Sequence, residues 1–418
     1  MAATVNHVGQ FVEITAIDAD WSWLDTFPGS ENGIDVDWIS FSCGDTDGDK
    51  LVMRNGIDIW SDLGQQASET RILSFANCDS GVIIAGTAAG GKIIRSTDYG
   101  KTWLDLGQQA SQAFINCVLY LENGICLAGL GSQAHIIRST DYGANWIDLG
   151  RQRSDLYVYS LAYCGSGVVL AGLYNNGEII RSTDYGETWG GVQRLATETY
   201  VYSIEYLESN IAIAGTSSTG KIFRSTDAGA NWSDLGQQAS ETRILSLIYL
   251  GNGICLAGTG TSGKILRSID YGATWSDLGR QFAQDYIRCF THVGSGIVFA
   301  GTSPDGKILR SIDYGATWSS LGTLYSESDI WSLEYIESGI CLAGTGASGK
   351  VLRNVNFGNI SSFLFPTNAM PTQGKAHIEN IDARVKPFIS YNESTLSTGH
   401  SVVIKLKSRS EPGRHKGV

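Results

Sequence analysis

Between residues 243 and 279 the chain alternates short apolar runs with small polar breaks. Arg-Ile-Leu-Ser-Leu-Ile-Tyr-Leu (243–250) meets the break Gly-Asn-Gly, and Ile-Cys-Leu-Ala-Gly-Thr-Gly meets Thr-Ser-Gly. Lys-Ile-Leu-Arg-Ser-Ile-Asp then meets Tyr-Gly, and Ala-Thr-Trp-Ser-Asp-Leu-Gly closes the unit. Each run is short, rich in β-branched or aromatic residues, and bounded by Gly, Asn or Ser. The unit therefore reads as four strands, A to D in chain order, joined by tight turns.

The unit recurs with a fixed step. The phrase Ser-X-Asp-X-Gly-X-Thr/Asn-Trp places its aspartate at Asp98, Asp141, Asp184, Asp227, Asp270 and Asp313, and every step is 43 residues. Trp103, Trp146, Trp189, Trp232, Trp275 and Trp318 keep the same step, as do the arginines from Arg95 to Arg310. A repeat of about 40–45 residues with four strands has the size of one propeller blade. The ends of the array complement one another. Trp60, one step before Trp103, belongs to a strand D with no A, B or C before it; residues 329–355 supply A to C with no proper D after them. The pattern predicts an all-β, seven-bladed β-propeller over 57–358, closed by a last blade that takes its D strand from residues 57–63, which leaves no open sheet edge.

That closure brings residues 1–56 and 359–418 out at one blade. Both segments carry strand-like stretches, such as Phe-Val-Glu-Ile-Thr-Ala-Ile (11–17) and Val-Lys-Pro-Phe-Ile-Ser-Tyr (385–391). Neither is long enough to bury a good core alone, so the pattern predicts a small β-sandwich built from both termini, with the propeller inserted in it.

The repeated phrase resembles the Asp-box, or bacterial neuraminidase repeat, of sialidases and other propellers. The resemblance spans 57–358, with six full copies and a degenerate seventh at 354–359. It implies that the boxes are turn fasteners between strands C and D. A short carboxylate such as Asp98 accepts N–H bonds across its turn, Ser96 adds another, and Gly100 suits a left-handed position. Six separate catalytic aspartates round a ring make no chemical sense, whereas one staple per blade requires repetition. The resemblance also places ligands opposite these turns, at the D-to-A and B-to-C loops.

Composition refines this picture. The chain has 418 residues, 51 of them Gly and only 6 Pro, with a net charge of −12 and no basic face, which argues against binding a nucleic-acid backbone. No apolar run approaches the roughly 20 residues of a membrane helix, and the start lacks a basic region followed by an apolar core. Cys126, Cys255 and Cys341 share one repeat register, Cys117 and Cys289 a second, Cys78 and Cys164 a third. Equivalent positions in distant blades lie too far apart to bridge, so these read as buried free thiols of a protein made in the cytoplasm without a signal peptide.

Against so regular a repeat, departures mark function. At the start of strand A one register reads Arg71, Phe114, Tyr157, Tyr200, Arg243, Tyr286 and Asp329; two residues on, the next reads Leu73, Asn116, Tyr159, Tyr202, Leu245, Arg288 and Trp331. Tyr157, Tyr159, Tyr200, Tyr202, Arg243, Tyr286, Arg288 and Trp331 are the candidate ligand residues, because Tyr, Trp and Arg stack on sugars and anchor interfaces. Packing beside the channel is the competing reading. Glu69, Asp155, Glu198, Glu241 and Glu327, with Gln112 and Gln284, form a quasi-symmetric ring, whereas glycoside hydrolysis needs an asymmetric carboxylate pair. Glu205 and Glu334 break the repeat and are the best candidates for such chemistry. Asp45, Asp47 and Asp49 alternate as in a calcium loop, but their glycine is misplaced and no closing glutamate follows, so a hairpin turn fits better. No cofactor motif is present.

The terminal segments resemble the short β-sandwich structural proteins of tailed-phage virions. That resemblance implies a non-enzymatic virion surface or decoration protein, its sandwich docked to a protein shell or tail and its propeller displayed outward, recognising glycans. A sialidase-like glycosidase and a propeller-type assembly factor, like those of photosystem biogenesis, are the alternatives.

Overall fold

The computed structural model describes residues 60–355, apart from 132, 155, 156, 196 and 338, and short strands at 14–15, 21–22, 42–43, 375–376, 385–390 and 403–408. By contacts the chain divides into two compact units, Met1–Asp58 with Asn359–Val418, and Ile59–Gly358. In the first, Ile14–Thr15 pairs with Lys375–Ala376, Trp21–Ser22 with Ser42–Cys43, and Val385–Ser390 with Val403–Ser408, all antiparallel. The β-sandwich reading falls mostly on residues outside those described, as do Asp45, Asp47 and Asp49.

The second unit, among the described residues, is all strand and turn. Its strands pair antiparallel in the order A-B-C-D, as four separate four-stranded sheets and one twelve-stranded sheet in which single bridges join three more such sets. The first consists of Arg71–Asn77, Ile83–Ala88, Lys92–Ser96 and Leu104–Gln108. The last takes Ile330–Tyr335, Cys341–Thr345 and Lys350–Asn354 from one end of the chain and Trp60–Gln65 from the other. There Asn354 pairs with Trp60, Arg353 with Ser61 and Lys350 with Gln65. Each A strand lies beside the A strand of the next sheet, and the seventh lies beside the first.

The seams between sheets rest on one repeated contact. Strand B is buried along its whole length, as in Ile83–Ala88 and Cys255–Gly260. Its central glycine presses against a β-branched side chain in strand A of the following sheet. A Cβ added to Gly215 would stand 2.5 Å from Ile244 Cγ2, one on Gly129 2.5 Å from Val158 Cγ1, and one on Gly344 2.7 Å from Ile72 Cβ. The last of these joins the seventh sheet to the first, where Ser332 Oγ also donates to the Ile72 carbonyl at 3.0 Å. Only glycine permits so close an approach, and the stiff Ile or Val fills the hole it leaves.

The box fastens each sheet twice. Within its own turn, Asp98 Oδ1 accepts from Ser96 Oγ at 2.8 Å, Lys101 N at 3.0 Å and Thr102 N at 2.9 Å, while Thr102 Oγ1 donates to Oδ2 at 2.7 Å. The turn holds Tyr99 (φ 59) and Gly100 (φ 74) in the left-handed region. The indole does not reach into the next sheet for its partner: Trp146 Nε1 donates to Gly143 of its own turn at 3.0 Å. The reach between sheets comes instead from the box arginine. Arg95 Nε donates to the Tyr142 carbonyl of the following box at 2.9 Å, Arg224 to Tyr271 at 2.8 Å, and Arg353 closes the circle onto Tyr99 at 2.8 Å.

Among the described residues Cys78, Cys117, Cys126, Cys164, Cys255 and Cys341 are free and buried, and Cys289 is free and partly buried. Equivalent cysteines do not meet, but Cys78 Sγ and Cys126 Sγ, from different registers of adjacent sheets, lie 3.6 Å apart. Comparing like positions alone could not reveal that contact.

Two outcomes follow from these seams and turns. Gly215→Ala forces Ile244 aside and lowers stability by about 1–3 kcal/mol, whereas Gly190→Ala, with nothing within 4 Å of the new methyl, stays within about 0.5 kcal/mol; chemical denaturation measures both. Burial pushes the Asp98 and Asp184 carboxyls up, but the hydrogen bonds from Thr102 and Ser96, and from Ser182 and Thr188, outweigh it and leave both at about 2. Because their folded values lie below the ordinary 3.8, their stabilisation is complete above about pH 4. It is lost as pH falls towards 2, and thermal melts on acidification should show that loss.

Candidate functional site

The two variable registers owe their position to backbone geometry. The first residue of strand A bridges back to strand B of the preceding sheet: Gly131 to Tyr157, Tyr174 to Tyr200, Ser217 to Arg243 and Gly260 to Tyr286. Side chains of adjacent sheets are thus set at a common seam. One residue later the A–B pairing slips, between Val201 and Ser203, Ile287 and Cys289, and Ile330 and Ser332. Tyr202, Arg288 and Trp331 are therefore the extra residues of β-bulges, and Tyr159 occupies the same place between Val158 and Ser160. A bulge turns its extra side chain out of the ladder's alternation, which is how both registers come to meet round the starts of the A strands.

The structure gathers seven of the eight candidates into two groups. One is aromatic. Tyr157 and Tyr159 stack at 5.8 Å, Tyr159 and Tyr202 lie 5.1 Å apart, and Tyr200 stacks on Tyr202 at 5.2 Å with 10° between planes. Tyr174 joins this group 4.4 Å from Tyr200 and 5.0 Å from Tyr157. It lies at the end of strand B, outside both registers; the sequence signal was a single Tyr in a column otherwise made of Ala, Gly and Ser.

The other group is cationic. Arg288 Cζ lies 4.4 Å from the centre of the Tyr286 ring and 4.2 Å from that of the Trp331 ring, and Arg71 Cζ lies 5.2 Å from the centre of the same Trp331 ring. Trp331 packs over Gly346, where a Cβ would come within 2.5 Å of its Nε1. Asp329 Oδ1 is 3.8 Å from Arg288 Nη2. Arg243 and Arg288 both act electrostatically on the Tyr202 hydroxyl, favouring its ionised form against the burial that raises it. Burial raises the Tyr159 and Tyr202 hydroxyls, a hydrogen bond with Tyr174 and then burial lift Tyr200 to about 12, and burial lowers Arg288. Tyr159, Tyr200 and Tyr202 are therefore neutral donors at neutral pH.

The acidic ring has a different role. Glu69 Oε2 accepts from Gly90 N at 2.8 Å, Glu327 Oε2 from Ser348 Oγ at 2.6 Å, and Gln284 Oε1 from Thr302 Oγ1 at 3.0 Å. These buried side chains tie the D-to-A loop to the B-to-C loop of the same sheet; Asp155 lies outside the described residues. Glu205 and Glu334 do not converge either. Glu205 Oε1 accepts from Tyr249 N of the next sheet at 3.1 Å, and Glu334 from Asn77 N of the first. Each braces its own seam, keeping a little exposed surface while protein surrounds it. Among the described residues no group of three His, Cys, Asp or Glu could hold a metal ion.

No family model and no curated protein matches the chain. Solved structures do. YCF48 bound to D1 peptide is 18% identical with a TM-score of 0.57, over 71% of this chain and 96% of that one. A streptogramin B lyase is 13% identical with a TM-score of 0.63, over 72% and 98%, and the WD40 β-propeller domain of Doa1 is 14% identical with a TM-score of 0.56, over 71% and 97%. The fold is a β-propeller. Its relatives by shape include a peptide-bound protein and a lyase, so the propeller fold alone assigns no chemistry.

The two braced glutamates give this propeller a pH signature. Burial pushes Glu205 up to about 7 and Glu334 up to about 8, above the ordinary 4.5. A carboxyl raised on folding opposes the folded state more as pH climbs from about 4.5 to its folded value. The melting temperature should therefore fall between pH 5 and 8, and Glu334→Gln, which stays neutral, should flatten that fall.

Proposed function

We propose that this chain is a non-enzymatic binding and structural protein, a seven-bladed propeller of Asp-box repeats that engages its ligand through the aromatic–arginine mouth. The observation that carries the reading is the asymmetry of that mouth. Elsewhere the blades are near copies, and their polar residues fasten turns, loops and seams. At the starts of the A strands, five tyrosines, a tryptophan and three arginines replace the repeat, joined by Tyr174 from the end of a B strand, and the buried Arg288 Nε and Trp331 Nε1 have no hydrogen-bond partner. Stacking rings beside guanidinium groups suit a surface glycan, which presents C–H faces and hydroxyls.

In the same reading, residues 1–56 and 359–418 form the β-sandwich that anchors the propeller to a protein shell or tail at a virion or other extracellular surface. The pairing of residues 14–15 with 375–376 supports a joint fold for the two ends. Hydrolysis has little support, because Glu205 and Glu334 each brace a separate seam. A peptide partner is the second reading, favoured by the likeness to YCF48, which is bound to a peptide.

An immobilised glycan panel tests the proposal. Binding to at least one glycan is expected, with Tyr202→Ala and Trp331→Ala each weakening it at least tenfold, about 1.4 kcal/mol, at unchanged melting temperature. Fluorogenic glycosides should show no turnover. Absence of any glycan binding, or turnover abolished by Glu205→Gln, would overturn it.

A further inference from the structure

We infer that Cys78 and Cys126 are an oxidative cross-linking site, two thiols that hydrogen peroxide converts to a disulfide tying the first blade to the second. The inference stands apart from the ligand reading and uses no residue of the mouth.

The pair arises at one seam alone. Cys78 follows strand A of the first blade, Arg71–Asn77, and Cys126 opens strand B of the second, Cys126–Leu130. The 43-residue step places Leu121 and Val169, Cys164 and Ala212, Leu207 and Cys255, Leu250 and Val298, Val293 and Cys341, and Ile336 and Ile83 at the same two places of the other seams. Three of those seams have one cysteine and none has two, so elsewhere the thiol serves as a small apolar filler. Between the first two blades both places are cysteine, and Cys78 Sγ lies 3.6 Å from Cys126 Sγ in one shared core cluster.

The surroundings allow the bond to close. A disulfide holds its sulfurs ~2.05 Å apart, so the two must approach by about 1.5 Å. Neither cysteine sits in mid-strand. Cys78 leads into a turn whose next residues, Asp79 (φ 66) and Ser80 (φ 49), are exposed, and Cys126 comes two residues after the turn that holds the exposed Asn123. Both side chains are fully buried. Contact with Cys126 and then burial push the Cys78 thiol up, so in the closed fold it is a neutral, unreactive thiol. Reaction therefore proceeds through opening of the turn at 79–82, which two backbone bonds close, Cys78 N to the Val82 carbonyl and Val82 N to the Asp79 carbonyl.

The chemistry balances with one peroxide. The Cys78 sulfur attacks the peroxide O–O bond, giving a sulfenic acid and one water. As the turn closes, the Cys126 sulfur displaces the sulfenic hydroxyl, which leaves with the thiol proton as a second water. Two thiols are oxidised by two electrons in all, and the peroxide is reduced. A resolving thiol already in contact intercepts the sulfenic acid before a second peroxide reaches it. The cysteines are 48 residues apart, so the new bond both spans a seam and constrains the unfolded chain.

Peroxide treatment of the folded, reduced full chain tests this by non-reducing peptide mapping. The expected product is a peptide pair joined through Cys78 and Cys126, two hydrogens lighter than the reduced pair, with the melting temperature raised by about 5 °C. Dithiothreitol should reverse both changes. Cys78→Ser and Cys126→Ser should each abolish the link and the rise in melting temperature, while Cys164→Ser keeps both. If a serine variant fails to fold, Cys126→Ala serves in its place, since alanine stands at that position in the fourth blade as Ala212. Thiols that stay free, sulfinic acid at Cys78 without the link, or linkage of either cysteine to another partner would overturn the inference. A link that forms only in denaturant overturns it as well, and one that leaves the melting temperature unchanged overturns its role in tying the blades.

Discussion

A glycine backbone pressed against an isoleucine or valine of the next sheet is the contact on which this molecule depends. It sets how near two blades can come, and therefore how many fit round the axis. Gly215 with Ile244 and Gly344 with Ile72 are the same contact, one within the run of the chain and one across its two ends. Packing of this kind is non-directional but unforgiving of volume, so the sheets are aligned by other means. The box arginine supplies the alignment, reaching from one turn to the carbonyl of the next.

The division of labour between the two ends of each blade follows from that arrangement. At the C-to-D turns of the six full boxes, the aspartate and serine are held by fixed hydrogen bonds, and the sequence is nearly invariant from blade to blade. At the starts of the A strands, a bulge in each strand frees one side chain from the ladder, and the sequence varies freely. The scaffold tolerates that variation because the buried glutamates and glutamines beneath it hold the loops independently. Specific recognition can then be built on one end without disturbing the fasteners on the other.

Much of this was legible in the sequence. A 43-residue step, short runs bounded by turn residues and two complementary ends predict closure by Trp60, and Asn354 pairs with Trp60. The candidate registers were legible as departures from near-copies. What remained hidden depends on contacts between different registers. Tyr174 enters the mouth from strand B, Cys78 meets Cys126 across two registers, and the box arginine's partner lies in the following box. Glu205 and Glu334 looked like misplaced chemistry because a backbone N–H of the next blade leaves no mark in a sequence.

Closure of the wheel by a strand from the opposite end of the chain is the central claim, and hydrogen exchange measures it directly. The amides of Trp60–Gln65 should exchange as slowly as those of the interior D strands, such as Leu104–Gln108, and open together with Lys350–Asn354. Rapid exchange across 60–65 while 350–354 remains protected would contradict the account.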